Sequence, residues 1–447
     1  MNRRPALAAA LLIALSLAAA TAAQARDGGR DSDHSSDHGS DHGSDHGSDH
    51  GSGHGSSDRG GSSDRHGGGD DSRGSRDRDS AGDDSDDDDR GRDLLRRDAA
   101  TRSASLSIDV DRGVDGHERR QGEVLMIGSD AAVAAVRAAG YGVIAEHRLG
   151  AFDEMIARVR LAPGESVERA ISRIQALAPE ASAAANHLFR PSASGADGAT
   201  AASPAAAVGA GDSARLGIID TGADRQWPLL AAAVVDAQSF TGTAYAPREH
   251  GSLVAAIGSA GGARLGVADV FDSDAEHQLV APADAIARAV DWLISEHYPV
   301  INISIEGPDN EVLAHVVKRA LAANVVLVAA AGNGGPAAAA AYPAAYPGVI
   351  AVTAVDEQGR VYRRANRGGY IAFAATGVRV ENRYSGASSA TVSGTSFAAP
   401  RVAAEIAHRL ALPSRPGVQD VLLQLQSQAR DLGETGRDPV YGWGWLR

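Results

Sequence analysis

The sequence predicts an α/β protein: a doubly wound parallel sheet, preceded by a small α+β ferredoxin-like domain and a disordered N-terminal tail. Three observations predict it. Between residues 216 and 410, strand-like apolar runs alternate with segments of helical period, as in a parallel sheet covered by helices. Runs such as 216–220 and 325–331 are almost continuously apolar, which suits strands buried on both faces. Ahead of them, residues 122–189 read strand, helix, two strands, helix, strand, the βαββαβ order of a split βαβ unit.

Residues 1–25 read as a secretory signal. Arg3 and Arg4 give the positive start, 6–20 the apolar stretch, and Ala23-Gln24-Ala25 a small-x-small cleavage site. A secreted or periplasmic location follows, with no stable membrane anchor. Residues 26–118 are low complexity, rich in Asp, His, Gly, Ser and Arg, and too polar to bury a core. His34, His38, His42, His46, His50 and His54 recur at a four-residue period beside aspartates. Two readings stay open: weak capture of divalent metal by adaptable imidazoles, or a solvated spacer. Much of the acid behind the net charge of −14 sits in this stretch, and no basic patch with aromatics appears, so nucleic acid is not an expected partner. With no cysteine in the chain, disulfide and thiolate chemistry are excluded.

The small domain is placed at 119–191. A strand over 123–127 precedes a helix over 130–139 that Ser129 caps and Gly140 stops. Strands over 141–149 and 155–161 flank a turn. A second helix over 167–177 puts Val167, Ile171 and Ile174 on one face, and a strand over 181–189 closes the unit. Residues 192–212 are Ala, Ser, Gly and Pro, a linker composition.

In the large domain, placed at 213–447, the predicted strands cover 216–220, 234–240, 264–271, 300–305, 325–331, 349–355 and 370–375. Helices cover 252–257, 282–298 and 310–323, and a last one follows Ser396 with Val402, Ile406 and Leu410 facing inward. Ligands of such sheets bind beyond the carboxyl ends of the strands. Asp220, Ser304 and Asn333 all fall at such ends. Ser396, between Gly394-Thr395 and an alanine-rich helix, reads either as that helix's N-cap or as a nucleophile beside unpaired N–H groups. His250-Gly251 opens another helix, and an acid, a histidine and an amide elsewhere in the chain favour the nucleophile.

Asp220-Thr221-Gly222, His250-Gly251, Asn302-Ile303-Ser304-Ile305, Ala331-Gly332-Asn333 and Gly394-Thr395-Ser396 together resemble the motifs of the subtilisin-like serine proteases, over roughly residues 213–447. The resemblance implies a secreted endopeptidase acting on polypeptides through an acyl-enzyme. Ser396 would be the nucleophile, His250 the base, Asp220 its orienting acid and Asn333 an oxyanion donor. Ser304, Ile305, Glu306 and Gly307 would pair with substrate main chain, with Gly332 in the opposite wall. The small domain would be a propeptide that chaperones folding and inhibits the enzyme, its closing strand being Ala185-Asn186-His187-Leu188-Phe189. Cleavage would fall in or near the linker.

Three departures stand out. Ser252-Leu253 replaces the usual Thr-His. Residues 258–263 are short where many relatives hold a calcium ion, so no cofactor is expected, and calcium is the one candidate. Glu306 stands where relatives carry glycine. Aimed inward, its carboxylate would favour Arg or Lys at the residue before the scissile bond (P1) or at P2, superimposed on tolerance for large apolar P1 groups; aimed outward, it would have no role. An inactive scaffold with this fold is the competing class. An esterase of the α/β-hydrolase type fails because Gly394-Thr395-Ser396-Phe397-Ala398 lacks the second glycine of its nucleophile motif, and the acid and histidine come before the serine.

Overall fold

The computed structural model describes residues 107–192, 194–197, 214–381 and 391–447. The expected signal segment, the histidine repeats and most of the expected linker lie outside these residues. Composition ends the tail at 118, but regular structure is already present before that point. Strand β1 (Val110–Arg112) pairs antiparallel with β2 (Glu118–Gly128). Ile108 is the reason: it is buried with Leu188 and Val280, and its N–H donates to the Ser273 carbonyl at 3.0 Å. One isoleucine in a polar run anchors the segment, a signal that bulk composition hides.

The small domain continues through α1 (Asp130–Ala138), β3 (Gly142–Leu149), β4 (Glu154–Arg160), α2 (Val167–Leu177) and β5 (Ser182–Pro191). Ser129 Oγ accepts the Ala132 N–H, and Gly140 turns the chain out of α1 with φ at 93°. Ser166 caps α2 in the same way. The strand order is β5-β2-β4-β3, all antiparallel, as a split βαβ unit requires. The chain does not become a free linker at 192. Residues Ser194–Asp197 form β6, a strand of a second small sheet.

The large domain comprises β7 (Arg215–Asp220), α3 (Pro228–Ala233), β8 (Val234–Ser239), α4 (Glu249–Gly258), β9 (Arg264–Asp269), β10 (Asp272–Ser273), β11 (Leu279–Pro282), α5 (Ala283–Ser295), β12 (Val300–Ile303), β13 (Ile305–Glu306), α6 (Glu311–Ala322), β14 (Val326–Ala330), β15 (Ile350–Val355), β16 (Ile371–Thr376), β17 (Val380–Glu381), β18 (Thr391–Ser393), α7 (Thr395–Leu410), α8 (Val418–Gln428) and β19 (Trp445–Leu446). The central sheet runs β19-β16-β15-β14-β12-β7-β9-β8, and every pairing in it is parallel. Both faces are covered, which explains the unbroken apolar runs. Ile219, Ile301, Ile303 and Leu327 pack with α5 and α6, while Ile218, Val300, Val326 and Val328 pack with α4 and α7.

Chain order reverses at β7. From there the sheet grows to β9 and β8 on one side and to β12 and β14 on the other. A crevice forms at the carboxyl ends on either side of such a reversal. Helix α8 and strand β19 have no counterpart in the sequence reading. Val421 and Leu425, one helical turn apart and buried, were the available signal for α8. Among the described residues no helix is long and apolar enough to cross a membrane.

Candidate active site

Asp220 closes β7, His250 lies in the first turn of α4 and Ser396 is the second residue of α7. The three side chains are fully buried. His250 Nδ1 lies 2.8 Å from Asp220 Oδ1, and its Nε2 lies 3.2 Å from Ser396 Oγ. The Thr221 N–H donates to the same Asp220 oxygen at 2.6 Å. The two motif glycines are there because chains meet. A Cβ on Gly222 would stand 2.4 Å from the Ala246 carbonyl oxygen, and one on Gly251 would stand 2.1 Å from that of Thr221. Glycine lets α4 approach the end of β7 until histidine and aspartate share a hydrogen bond.

Ser396 is not the N-cap; Gly394 is. The early N–H groups of a helix have no partner within it. Here Thr395 N–H donates to Asn333 Oδ1 at 3.1 Å, and Ser396 N–H donates to the Ser192 carbonyl at 3.3 Å. Thr395 Oγ1 also donates to Asn333 Oδ1, at 3.2 Å, and accepts the Gly332 N–H. With Oδ1 so held, Asn333 Nδ2 faces the crevice, where it donates to Ser192 Oγ at 3.2 Å. Ser304 Oγ donates to the Ser396 carbonyl at 3.1 Å and accepts from Asn302 Nδ2 at 2.8 Å. Asn302 and Thr395 were missed as positioning residues. Both lie inside the quoted motifs, but nothing in their spacing says what they touch.

A segment of the chain itself lies across this site. Strand β5 pairs antiparallel with β13, Pro191 opposite Ile305 and Arg190 opposite Glu306. The Ser192 N–H donates to the Ser304 carbonyl at 3.2 Å. A Cβ on Gly307 would meet the ring of Phe189 at 2.3 Å, so the absent side chain is the seat of that phenylalanine. Beyond Ser192, β6 pairs antiparallel with β18, just ahead of Ser396. Chain thus enters on one side of the three residues and leaves on the other. Ser192 was not foreseen as a site residue.

Glu306 points inward. Its Oε2 accepts the Asn333 N–H at 2.7 Å and the Ser192 hydroxyl at 3.2 Å. Burial raises its carboxyl above the ordinary range, and these two bonds and the charge of Arg364 offset part of that. Gly332 sits opposite with φ at 107°, and a Cβ there would crowd Asn366 at 2.6 Å. Ser252 has a packing role: its hydroxyl donates to the Arg248 carbonyl and accepts the Asp224 N–H. A three-residue 3-10 turn, Ala260–Gly262, follows α4 directly. Among the described residues no group of three or more His, Asp and Glu side chains is placed to hold a metal ion.

A buried Asp–His–Ser relay at the switch point of a parallel sheet, its serine in the first turn of a helix, defines a subtilisin-like site. Residues 211–444 match the Subtilase family, and the chain belongs to it. The chain is 30% identical over 250 residues to the minor extracellular protease Epr of Bacillus subtilis (strain 168), covering 53% of this chain and 38% of that protein. It is 30% identical over 246 residues to subtilisin E of the same organism, covering 50% of this chain and 62% of that one. The match therefore spans between about two fifths and three fifths of the length of these relatives. The fold is shared with fervidolysin from Fervidobacterium pennivorans, at a TM-score of 0.60 and 20% identity, over 77% of this chain and 64% of that one.

Proposed function

We propose that this chain is a secreted or periplasmic serine endopeptidase, made as a precursor that its own small domain inhibits. One observation carries the proposal. The chain at Phe189–Ser192 lies in the crevice as a substrate would, with the Ser192 carbonyl on the Ser396 N–H and the Ser192 N–H on the Ser304 carbonyl.

In this reading Ser192–Ala193 is the first bond cut. Ser396 Oγ attacks the Ser192 carbonyl carbon as His250 Nε2 takes the hydroxyl proton. The negative charge that forms on the carbonyl oxygen is held by the Ser396 N–H and by Asn333 Nδ2, which turns from the Ser192 hydroxyl to the oxygen as the carbon becomes tetrahedral. The C–N bond then breaks, and His250 returns its proton to the nitrogen of Ala193. Water, deprotonated by the same histidine, releases the acyl group. Asp220 keeps Nδ1 protonated and stabilises the imidazolium throughout. Main-chain pairing on Ser304, Ile305 and Glu306 reads any extended polypeptide, so the same site serves other substrates after the small domain leaves; Gly307, expected to pair as well, has its N–H and carbonyl taken by Tyr342 and offers only the seat of Phe189. Secretion is proposed from the leader-like residues 1–25. For the histidine repeats, weak divalent-metal binding remains the alternative to a spacer. Calorimetry on a peptide of residues 31–56 decides it, and no heat with Zn²⁺ or Ni²⁺ would leave the spacer.

The test is Ser396→Ala. Peptide hydrolysis should fall by about 10⁶ in kcat, the scale on which removing the serine of a Ser–His–Asp triad acts. A fluorophosphonate should label the wild-type chain and not the variant, and the variant should remain uncut after Ser192. Hydrolysis by the purified variant at the wild-type rate would refute the assignment.

A further inference from the structure

We infer that Glu306 is a specificity residue that selects serine or threonine at P1. The inference rests on the protease reading and on Ser192 as the residue before the first scissile bond.

The P1 side chain is defined by what Ser192 touches. Its hydroxyl donates to Glu306 Oε2 at 3.2 Å, accepts from Asn333 Nδ2 at 3.2 Å and lies 3.0 Å from Thr395 Oγ1. A small hydroxyl is therefore met by an acceptor, a donor and a second hydroxyl, with Asn333 and Thr395 buried and Glu306 half-buried. The acceptor is an acid whose other bond, to the Asn333 N–H at 2.7 Å, fixes it against the wall of the crevice. Glu306 thus cannot swing to solvent without breaking that bond. It occupies, with carboxylate, the place where a glycine would leave open space for a P1 side chain. Large apolar P1 groups lose that space and would strand the carboxylate with one partner fewer. Alanine fits but donates nothing. Aspartate and glutamate meet a like charge. Arginine and lysine could pair with the carboxylate, but their length exceeds the reach that Ser192 spans from Cα to Glu306. A hydroxyl preference is the alternative to the expectation that an inward carboxylate favours Arg or Lys, superimposed on tolerance for large apolar P1 groups.

A hydrogen bond to a charged acceptor discriminates more strongly than a neutral one, which corresponds here to a preference of about tenfold for serine over alanine. The substrates are Phe-Arg-Pro-Xaa amides of a fluorogenic amine, with Xaa as Ser, Ala, Leu or Arg, copying Phe189 to Ser192. The enzyme is the processed form of the full chain. Expected is a kcat/KM about tenfold higher for Ser than for Ala, and higher still against Leu. Glu306→Gly should bring Ser and Ala within twofold and raise Leu relative to both. Glu306→Gln, whose carbonyl still accepts a hydrogen bond, should keep part of the Ser preference. Ratios within one enzyme are read, so a general loss of turnover in a variant does not alter the result. In the full chain, Ser192→Leu should slow the appearance of processed enzyme, and Ser192→Thr should not. Equal rates on Ser and Ala with wild type, or a Ser/Ala ratio unchanged in Glu306→Gly, would overturn the inference, and so would a preference for Arg over Ser. Fluorophosphonate labelling separates the two levels. Labelled enzyme with a flat P1 profile sinks the role of Glu306 alone, whereas no labelling and no hydrolysis of any substrate removes the protease reading and this inference with it.

Discussion

In β2, Val124 and Met126 face one side of the small sheet and Leu125 and Ile127 face the other, and all four are fully buried. The first pair packs with Val133, Val136, Ala170 and Ile174, residues of the small domain's own two helices. The second pair joins Ile156 and Phe189 in a cluster that includes Ile286, Val290, Val312 and Val316 of α5 and α6. One face is thus an internal core, complete without the large domain. The other is an interface, and it is edged by polar contacts that join the small domain to the large one. Asp291 accepts the N–H groups of Gly150 and Ala151. Asn186 donates to Asp284, and Asn310 donates to the Ala185 carbonyl. The difference teaches that a sheet can hold itself together on one side and remain detachable on the other. Detachment is what the inhibitory role proposed for the small domain requires.

The largest expected effect comes from putting a charge on each face in turn, in the Ser396→Ala full chain so that the two parts stay linked. Val124→Asp should unfold the small domain, at roughly 4 kcal/mol or more for a buried, unpaired charge. Leu125→Asp should undock it but leave α1 and α2 folded. Amide exchange in those helices checks this: protection lost in the first variant and kept in the second. Equal loss in both would mean that the internal core does not stand alone.

A smaller effect is expected at Asn310. Its Oδ1 caps α6 by accepting the Leu313 N–H, and its Nδ2 reaches across to the Ala185 carbonyl and to His187 Nδ1. Asn310→Ala removes all three, about 1–2 kcal/mol together. Exchange should rise at β5 and at the start of α6, but not in α1. A rise confined to α6 would show that the bond to Ala185 contributes nothing to docking.

The smallest expected effect is on pH. Burial pushes the Asp284 carboxyl up, but Arg288 and Arg120, with the Asn186 bond, outweigh it and hold the group below its ordinary 3.8. The docking it supports is therefore complete above about pH 4 and is lost as pH falls through the lowered value. Asp291 has the opposite sign. Burial raises its carboxyl despite the Ala151 and Gly150 bonds, so its contribution is largest at low pH and declines as pH rises through the raised value. The two partly cancel. Asp284→Asn should remove the acid-side loss of docking, read as protection of β5 between pH 2 and 5. An unchanged profile would assign that loss to other carboxylates.

Much of this was legible in the chain. Alternating apolar strands and helices, with runs too apolar for a solvent-facing sheet, gave the parallel sheet. Asp220, His250, Asn333 and Ser396 were legible because each stands at an element boundary, where side chains gather over a sheet's end. What escaped was set by long-range contact. Ile108 looks like one residue of a polar tail until it meets Leu188 and Val280. Thr395 and Asn302 look like motif neighbours until their hydroxyl and amide are found to orient Asn333 and Ser304.

Local sequence determined the elements, their caps and the type of chemistry, because these depend on residue period, on small residues at turns and on nearby donors and acceptors. The four apolar residues of β2 in a row even required that both sides of its sheet be covered. Only the tertiary structure decided by what. That Ser192 lies on Ser304 and Ser396, and that Glu306 turns toward it, depends on strand pairing between segments 114 and 204 residues apart along the chain, counted from Ser192 to Glu306 and to Ser396. The register of such a pairing is fixed by the packing of the whole interface, not by any residue's neighbours in sequence.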